Sequence, residues 1–272
     1  GFLPQIGFVY DLDDNNELFG AASKNVRALI GSATGTSPFS ATQAGFDAIK
    51  DTIDPETAST FELGWRFRTD TLEGVVSAYH VTFDDRLLAI QQGSAIIGAF
   101  NALANVGSVT SKGIETGVNW TLMDSVTWYN SASYNLSQIE DDYMSGTTRV
   151  NTSGKTVVDS PEWMFNSEVS YETDQLFAKL HFKYTGEREY TFLNEGNVDA
   201  FSVVNLSAGY RFGNLGMLKE LTAQVDVTNL LDKDYISTVG SGGFGNSDPS
   251  GTAQTLLPGA PRQMFLSLKA SF

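Results

Sequence analysis

The chain has 272 residues, no cysteine, 26 glycines and a formal net charge of −15 at pH 7. The absence of cysteine excludes disulfides and thiolate metal sites, and the acidic balance argues against a nucleic-acid surface, which needs basic patches. No stretch reaches 18 consecutive apolar residues, so no membrane-spanning helix is predicted.

The chain alternates apolar and polar residues with a period of two, which is the pattern of β-strands. Strands are predicted at residues 5–11 and 17–27, and a long loop rich in Gly, Ser, Thr and Ala at 28–55, with a helical turn at 42–53. Further strands are predicted within 56–68, 74–83, 114–122, 126–137, 163–172, 176–184, 204–212, 221–228 and 264–272. This makes about eleven strands, most of them long enough for a tilted membrane crossing.

The predicted connections alternate between short and long. Short turns are predicted at 12–16, 69–71, 123–125, 173–175 and 213–220, and long loops at 28–55, 91–104, 141–160, 191–200 and 237–260. Short turns at one end and long loops at the other are typical of outer-membrane barrels, whereas a soluble sandwich gives no reason for such asymmetry.

The two predicted faces of the sheet differ in chemistry. The apolar face carries aromatic residues that suit interfacial girdles: Trp65, Trp120, Trp128, Trp163, Tyr79, Tyr134, Tyr171, Tyr184 and Tyr210. The polar face carries charges of both signs: Glu62, Arg66, Arg68, Glu115, Glu168, Lys179, Lys183, Arg211, Asp226 and Lys269. The predicted fold class is therefore all-β, a transmembrane antiparallel up-and-down β-barrel. The alternative is a large soluble β-solenoid or multi-sheet protein with surface aromatics.

Several motifs resemble those of the TonB-dependent outer-membrane receptors. Near the C-terminus the resemblance lies in three segments: VTNLLDKDY at 227–235, PGAPR at 258–262, and the terminal aromatic Phe272. Earlier segments are also similar: NVGSVTSKGIE at 105–115 and SKNVR at 23–27, where Asn25 replaces the family's usual Gly. The order and spacing of these motifs extend the resemblance over residues 17–272.

The resemblance implies a barrel of 22 strands with a plug in its lumen. Eleven strands make about half of such a barrel, and half a barrel leaves open edges that lipid cannot satisfy. The chain also begins abruptly at Gly1. We therefore expect residues 1–272 to be the C-terminal part of a barrel, with the plug, the TonB-binding box and the first barrel half outside them.

The resemblance also implies location and partners. It places the chain in the bacterial outer membrane, among lipid and lipopolysaccharide, with the TonB energy-transducing complex reached through the N-terminal region. Phe272 matches the aromatic that the barrel-assembly machinery recognises. The implied function is active, TonB-dependent uptake of a small-molecule substrate, with siderophore-bound iron first and vitamin B12, haem and oligosaccharide behind it.

Substrate-binding candidates lie in the predicted outer loops and upper lumen. They are Trp163, Arg188, Tyr190, Phe192 and Phe244. Aromatic and guanidinium groups suit a catecholate, a haem-like ring or a sugar, so they do not identify the substrate.

Other chemistry has weaker support in the sequence. His80 and His181 are predicted to face the lumen on separate strands, where a hydrogen bond to the plug is favoured over a metal pair. The acidic groups at 84–85 and 140–142 fit either a cation site or, more simply, solvated loops. No metal, cofactor or catalytic residue is expected. A passive porin and a structural or adhesive barrel remain as alternative functions, while a protease or lipase lacks a supporting Ser-His-Asp set.

Overall fold

The computed structural model describes residues 2–27, 51, 54–91, 101–105, 107–145, 148–213, 216, 218–239 and 256–271. In this part of the chain eleven strands form a single sheet, in which every pair is antiparallel. The strands, in sheet order, are β1 (Gln5–Asp13), β2 (Asn16–Arg27), β3 (Glu56–Arg68), β4 (Leu72–Asp84), β7 (Val109–Met123), β8 (Val126–Ile139), β11 (Trp163–Glu172), β12 (Leu176–Thr185), β15 (Phe201–Phe212), β16 (Glu220–Thr228) and β19 (Gln263–Ser271). The eleven predicted strands are confirmed. The described residues include no helix that is long and apolar enough to cross a membrane.

Four of the long connections carry a small hairpin of their own within the described residues. The hairpins pair β5 (Leu87–Gln91) with β6 (Asn101–Asn105), β9 (Tyr143–Ser145) with β10 (Thr148–Val150), β13 (Arg188–Glu189) with β14 (Asn197–Val198), and β17 (Ile236–Val239) with β18 (Leu256–Pro258). The prediction of plain loops was therefore wrong for these segments. The helical turn predicted at 42–53 lies almost entirely outside the described residues.

The short connections are closed by side chains that replace missing backbone partners. The hydroxyl of Thr69 accepts a hydrogen bond of 3.0 Å from the amide of Leu72, and the hydroxyl of Thr173 accepts one of 2.9 Å from Leu176. These turns share a Thr-Asp-x-Leu sequence. Side-chain acceptors of this kind stabilise tight turns. The alternation of a short-turn end and a long-loop end is confirmed.

The register assigns a face to each side chain, because paired residues of an antiparallel sheet point to the same side. The polar face carries Glu62, and the apolar face carries Phe61. Since Tyr79 pairs with Glu62, and His80 pairs with Phe61, Tyr79 lies on the polar face and His80 on the apolar face. The predictions for these two residues were wrong. Strand β4 has apolar residues on both sides, so alternation alone could not orient it, whereas pairing with β3 does.

The buried hydrophobic residues of the described chain all lie at the long-loop end. They are Leu87, Val109, Ile139, Tyr143, Phe192, Val198, Phe201, Val203 and Val239. The apolar face is instead exposed along its length, with large side chains such as Leu63, Ile114, Leu180 and Leu266 in the open. A sheet of this kind needs an apolar solvent on that face, as a membrane supplies.

The closing strands β16 and β19 are joined at the long-loop end by a network around Asn229. The Asn229 side chain is buried and donates hydrogen bonds to the carbonyls of Lys233 (2.9 Å) and Ala260 (3.0 Å). Its Oδ1 accepts a bond of 2.8 Å from the amide of Lys233. The carboxylate of Asp232 accepts one of 2.9 Å from the amide of Arg262. We call this network the Asn229 clasp.

An aromatic contact completes the Asn229 clasp. The ring of Tyr235 lies against Gly259, where an added Cβ would come within 2.0 Å of the ring, and it stacks on Phe201 at 4.4 Å between centroids. The segments 227–235 and 258–262, which are far apart in sequence, are therefore one structural unit.

Candidate functional site

The polar face of the sheet is lined with ion pairs. Within the described strands they are Arg27–Glu56 (3.7 Å), Arg66–Glu17, Arg68–Glu73 (3.4 Å), Lys179–Glu168 (3.2 Å) and Arg211–Glu172 (2.7 Å). Most of these side chains are partly exposed, so each pair contributes little to stability. Their main effect is to give the face charges of both signs.

One arrangement of residues occurs twice on the polar face. The guanidinium of Arg66 lies 4.0 Å from the centroid of Phe19, whose ring covers Gly64 so closely that a Cβ there would clash at 2.3 Å. In the second copy the Arg211 guanidinium lies 4.7 Å from the centroid of Phe177, and a Cβ added to Gly209 would come within 2.2 Å of that ring. Each ring is held between a glycine and a cation, which fixes a flat, charged surface.

A cavity of about 900 Å³ opens on the polar face toward the short-turn end. Its lining includes the carboxylates of Glu62 and Glu115. In the described part of the chain neither carboxylate has an ion pair or a hydrogen-bonded side chain. These two carboxylates of the cavity are therefore available to cationic groups from outside these strands.

Of the two histidines, only His181 lies on the polar face. Its Nδ1 is 3.4 Å from the side-chain nitrogen of Asn205, so it belongs to the polar lining as predicted. His80 faces the opposite way, and the two imidazoles cannot share a ligand. Across the described residues there is no group of three or more His, Asp and Glu side chains arranged to hold a metal ion.

Arg188 is a buried cross-link of the long-loop end. Its side chain is 4% exposed and donates to the Oδ1 of Asp159 (2.8 Å) and to the carbonyls of Ile236 (2.6 Å) and Ser237 (3.1 Å). It also faces the ring of Phe201 at 5.5 Å. The guanidinium therefore ties three long connections together.

The other predicted substrate contacts are dispersed. Phe192 is buried in a cluster with Val109 and Ile139. Tyr190 is half-buried, with its ring over Gly196. Trp163 lies on the apolar face, 54% exposed, with its ring 4.6 Å from that of Tyr134. Phe244 and Phe272 lie outside the described residues. The structure thus brings Arg188, Tyr190 and Phe192 into the same loop region and places Trp163 apart.

The acidic segment at 140–142 is part of the loop architecture. The carboxylate of Asp141 accepts a hydrogen bond of 2.8 Å from the amide of Ser108, and that of Asp142 accepts one of 3.0 Å from Ser153 and pairs with Arg149. The bond from Ser153 and the Arg149 guanidinium hold the pKa of Asp142 below its ordinary value. Both carboxylates are engaged by the loops, in agreement with the simpler interpretation.

A polar cavity that the sequence did not predict lies at the long-loop ends of β11 and β12. Its volume is about 380 Å³, and its lining includes Glu162, Glu187, Glu189, Trp163 and Tyr184. Burial, followed by the nearby charge of Glu187, raises the pKa of Glu189. In the sequence, glutamates at 187 and 189 flank Arg188. Because alternate residues of a strand point to opposite sides, the two glutamates share one side and form the acidic wall of this cavity, while Arg188 points away. This spacing was the sequence signal for the acidic wall.

Replacing Glu189 by glutamine should slow local opening of β13 and β14 at pH 7. A carboxyl whose folded pKa is raised contributes most below its unfolded value of 4.5 and loses that contribution as the pH rises through the folded pKa. The glutamine side chain does not ionise, so the variant does not lose this stability as the pH rises. Hydrogen exchange of the Tyr190 amide in the full-length protein measures the effect, which should be severalfold at pH 7 and absent near pH 4.

Glu195→Gln is the matched control for this prediction. Its side chain is exposed on the same connection, so the variant should exchange like the wild type at both pH values. Equal exchange of Glu189→Gln and the wild type at pH 7 would contradict the expected cost of burying the Glu189 charge.

Comparison with known proteins gives one family and consistent structural relatives. A family model described as "TonB dependent receptor-like, beta-barrel" matches residues 1–230. The chain is 26% identical over 280 residues to the ferric-pyoverdine BN7/BN8 receptor of Pseudomonas putida, a match that covers 100% of this chain and 28% of that receptor.

Solved structures share the fold at low identity. The siderophore receptor PiuA from Acinetobacter baumannii matches with a TM-score of 0.72 and 18% identity, over 97% of this chain and 35% of PiuA. The copper transporter OprC matches with a TM-score of 0.71 and 18% identity, over 98% of this chain and 39% of OprC. The chain thus spans between about a quarter and two fifths of the length of these relatives.

Proposed function

Because the chain belongs to the TonB-dependent receptor family, whose members are outer-membrane transporters and not enzymes, we propose that it forms part of the wall of a receptor for active nutrient uptake. In this proposal residues 1–272 are the C-terminal part of a plugged barrel. The apolar face contacts lipid, and the polar face lines the lumen. The long-loop end faces outward and the short-turn end faces the periplasm, as in other barrels of this kind.

The polar face is the observation that carries the proposal. An open porin lumen needs only hydration, whereas this face presents the unpaired carboxylates of Glu62 and Glu115 beside fixed cations. We propose that basic groups of a plug domain occupy them. The plug then closes the lumen until the TonB complex, energised from the inner membrane, rearranges it.

The proposed substrate is siderophore-bound iron. The curated relative is a ferric-pyoverdine receptor, and of the two structural relatives described above one is a siderophore receptor and the other a copper transporter. The proposed contacts are the exposed parts of the long loops near Tyr190 and the acidic wall at Glu187 and Glu189. Arg188 and Phe192 serve this site indirectly, by holding the loops in place.

Uptake assays in whole cells test the function. Cells with the full-length receptor should accumulate a radiolabelled ferric siderophore from a panel, and deletion of the gene should abolish that uptake. Collapse of the proton-motive force should also abolish it. Full-rate uptake without the proton-motive force would overturn the receptor proposal in favour of a passive porin.

The double replacement of Glu62 and Glu115 by glutamine should loosen the plug. Each lost carboxylate removes a charge-assisted contact of roughly 1.5–3 kcal/mol. We expect greater sensitivity of cells to a bulky polar antibiotic that the closed lumen excludes. Glu168→Gln is the control, because Glu168 already pairs with Lys179 within the wall. A double variant as impermeable as the control would contradict the proposed plug contact.

A further inference from the structure

The apolar face carries very few ionisable side chains, and they are concentrated in one place. Apart from tyrosines, and between the turns and the loops, the outward positions of the eleven described strands hold Lys24 on β2, His80 and Asp84 on β4, and Lys112 on β7. A charge that faces lipid is costly by an amount that falls toward the interface. Such a cluster on a lipid-facing wall therefore requires a specific partner or a wet boundary.

The three basic side chains are neighbours in the register. His80 pairs directly with Lys112, so their Cβ atoms are about 5 Å apart. Lys24 belongs to the next row toward the long-loop end, which continues through Ser59 to Thr82. The hydroxyl of Thr82 is 3.3 Å from Nε2 of His80. The result is a patch of cations and hydroxyls across three neighbouring inter-strand pairs.

The basic side chains of this patch are free to bind an anion. Lys24, His80 and Lys112 are exposed, and within the described chain none of them forms an ion pair. The nearest acidic side chain on this face is that of Asp84, which lies four residues beyond His80, about 13 Å along the strand. The protein as a whole is strongly acidic, with a net charge of −15, so this patch is an exception on its surface.

An apolar groove begins directly beneath the patch. Its volume is about 540 Å³, and on the apolar face it is lined by Ile6, Phe8, Gly20, Ala22, Phe61, Leu63, Ala78 and His80. The small side chains of Ala22 and Ala78 form its floor, and Phe61, which pairs with both Ala22 and His80, marks the end nearest the cations. The groove crosses strands β1 to β4 over two rows of the register, Ile6–Ala22–Phe61–His80 and Phe8–Gly20–Leu63–Ala78, and the second row lies on the short-turn side of the patch.

We propose that the patch and the groove together bind one phosphate-bearing lipid of the outer leaflet. Lys24, Lys112 and the imidazole of His80 hold the phosphate, and an acyl chain fills the groove. Charge complementarity selects an anionic headgroup, and the apolar groove adjoins the patch on its short-turn side, where an acyl chain of the same lipid would lie. Phosphate oxygens and ammonium groups form strong charge-assisted hydrogen bonds at such a boundary.

Lipid retention by the full-length receptor tests the proposal. The receptor is purified from outer membranes in mild detergent, incubated with lipopolysaccharide-containing nanodiscs, and analysed by native mass spectrometry for bound lipid. Replacing both Lys24 and Lys112 by glutamine should weaken retention about 30-fold. Ala78→Phe, which fills the groove at an exposed position, should also reduce retention. The control replaces Lys183 and Lys269, two lysines of the polar face, and should retain lipid like the wild type.

The outcomes separate the lipid from other occupants. Equal retention by the double lysine variant and its control would overturn the proposal. Displacement of the lipid by inorganic phosphate, with no effect of Ala78→Phe, would indicate a free-anion site and would also overturn it. Detection of a bound protein instead of a lipid on the wild-type receptor would also overturn the proposal. The heat-dependent electrophoretic mobility of each variant verifies folding, and Ala78→Phe decides the result alone if the lysine variant does not fold.

Discussion

The Asn229→Ala variant should lose about 4 kcal/mol of folding stability, a large fraction of what a typical domain has. Asn229 is 2% exposed, and its side chain makes three hydrogen bonds in the Asn229 clasp. Each contributes roughly 1 kcal/mol, and the loss leaves the carbonyls of Lys233 and Ala260 without this donor. The backbone φ of 49° lies in the left-handed region, where alanine costs about 1 kcal/mol more than asparagine.

Urea unfolding of the full-length receptor in detergent micelles measures this loss. Asn229→Gly should recover about 1 kcal/mol relative to alanine, because glycine accepts the left-handed backbone. Asn119→Ala, on the polar face, is the control and should change stability by no more than about 0.5 kcal/mol. If Asn229→Ala unfolds at the same urea concentration as this control, the clasp does not hold the closing strands.

The Arg188→Met variant should loosen the long-loop end and weaken substrate binding. Removal of the guanidinium leaves the carbonyls of Ile236 and Ser237 without their donor and Asp159 without its cation. Breaking a buried pair by removing one partner typically costs about 3–5 kcal/mol. Because the Asp159 side chain is 36% exposed, about 2–3 kcal/mol is the appropriate expectation here.

Two measurements separate loop order from global stability. Amide exchange of β17 and β13 should accelerate by about 30-fold or more for a loss of about 2–3 kcal/mol, while exchange in the middle of β11 and β12 should not change. Affinity for the proposed substrate, a ferric siderophore, should fall in parallel. Arg149→Met removes an exposed ion pair of the neighbouring connection and serves as the control. Unchanged exchange in Arg188→Met would show that the loops do not depend on this cross-link.

The sheet could be predicted because the alternation of apolar and polar residues along a strand depends only on neighbouring positions in the sequence. Alternation with a period of two, interrupted by Thr-Asp or Asp-Asn turns, is visible in any stretch of about ten residues, and it located the eleven strands and the two ends. Strand β4 shows where the rule fails. Val75, Tyr79 and Phe83 resemble an apolar face, but the pairing of Tyr79 with Glu62 sets the orientation. Orientation is a property of the neighbouring strand, which local periodicity does not contain.

The long-loop end could not be predicted for a different reason. Arg188 and Phe192 were chosen because guanidinium and aromatic groups bind many ligands, but the same groups also cross-link and fill small cores. Arg188 is structural because its partners come from segments 29 and 48 residues away. The motif around Asn229 was visible as a resemblance, but its contact with residue 260 depends on the chain returning through β17 and β18.

The small hairpins of the long loops have a consequence for how such a protein can diversify. Each hairpin has its own backbone pairing, and the buried hydrophobic residues beside it belong to the loops and the outer strand ends. An insertion or deletion at a hairpin tip therefore leaves the register of the wall unchanged. Recognition can change by evolution in the loops while the membrane-spanning wall is inherited intact, so close relatives with equal walls can differ in what they bind.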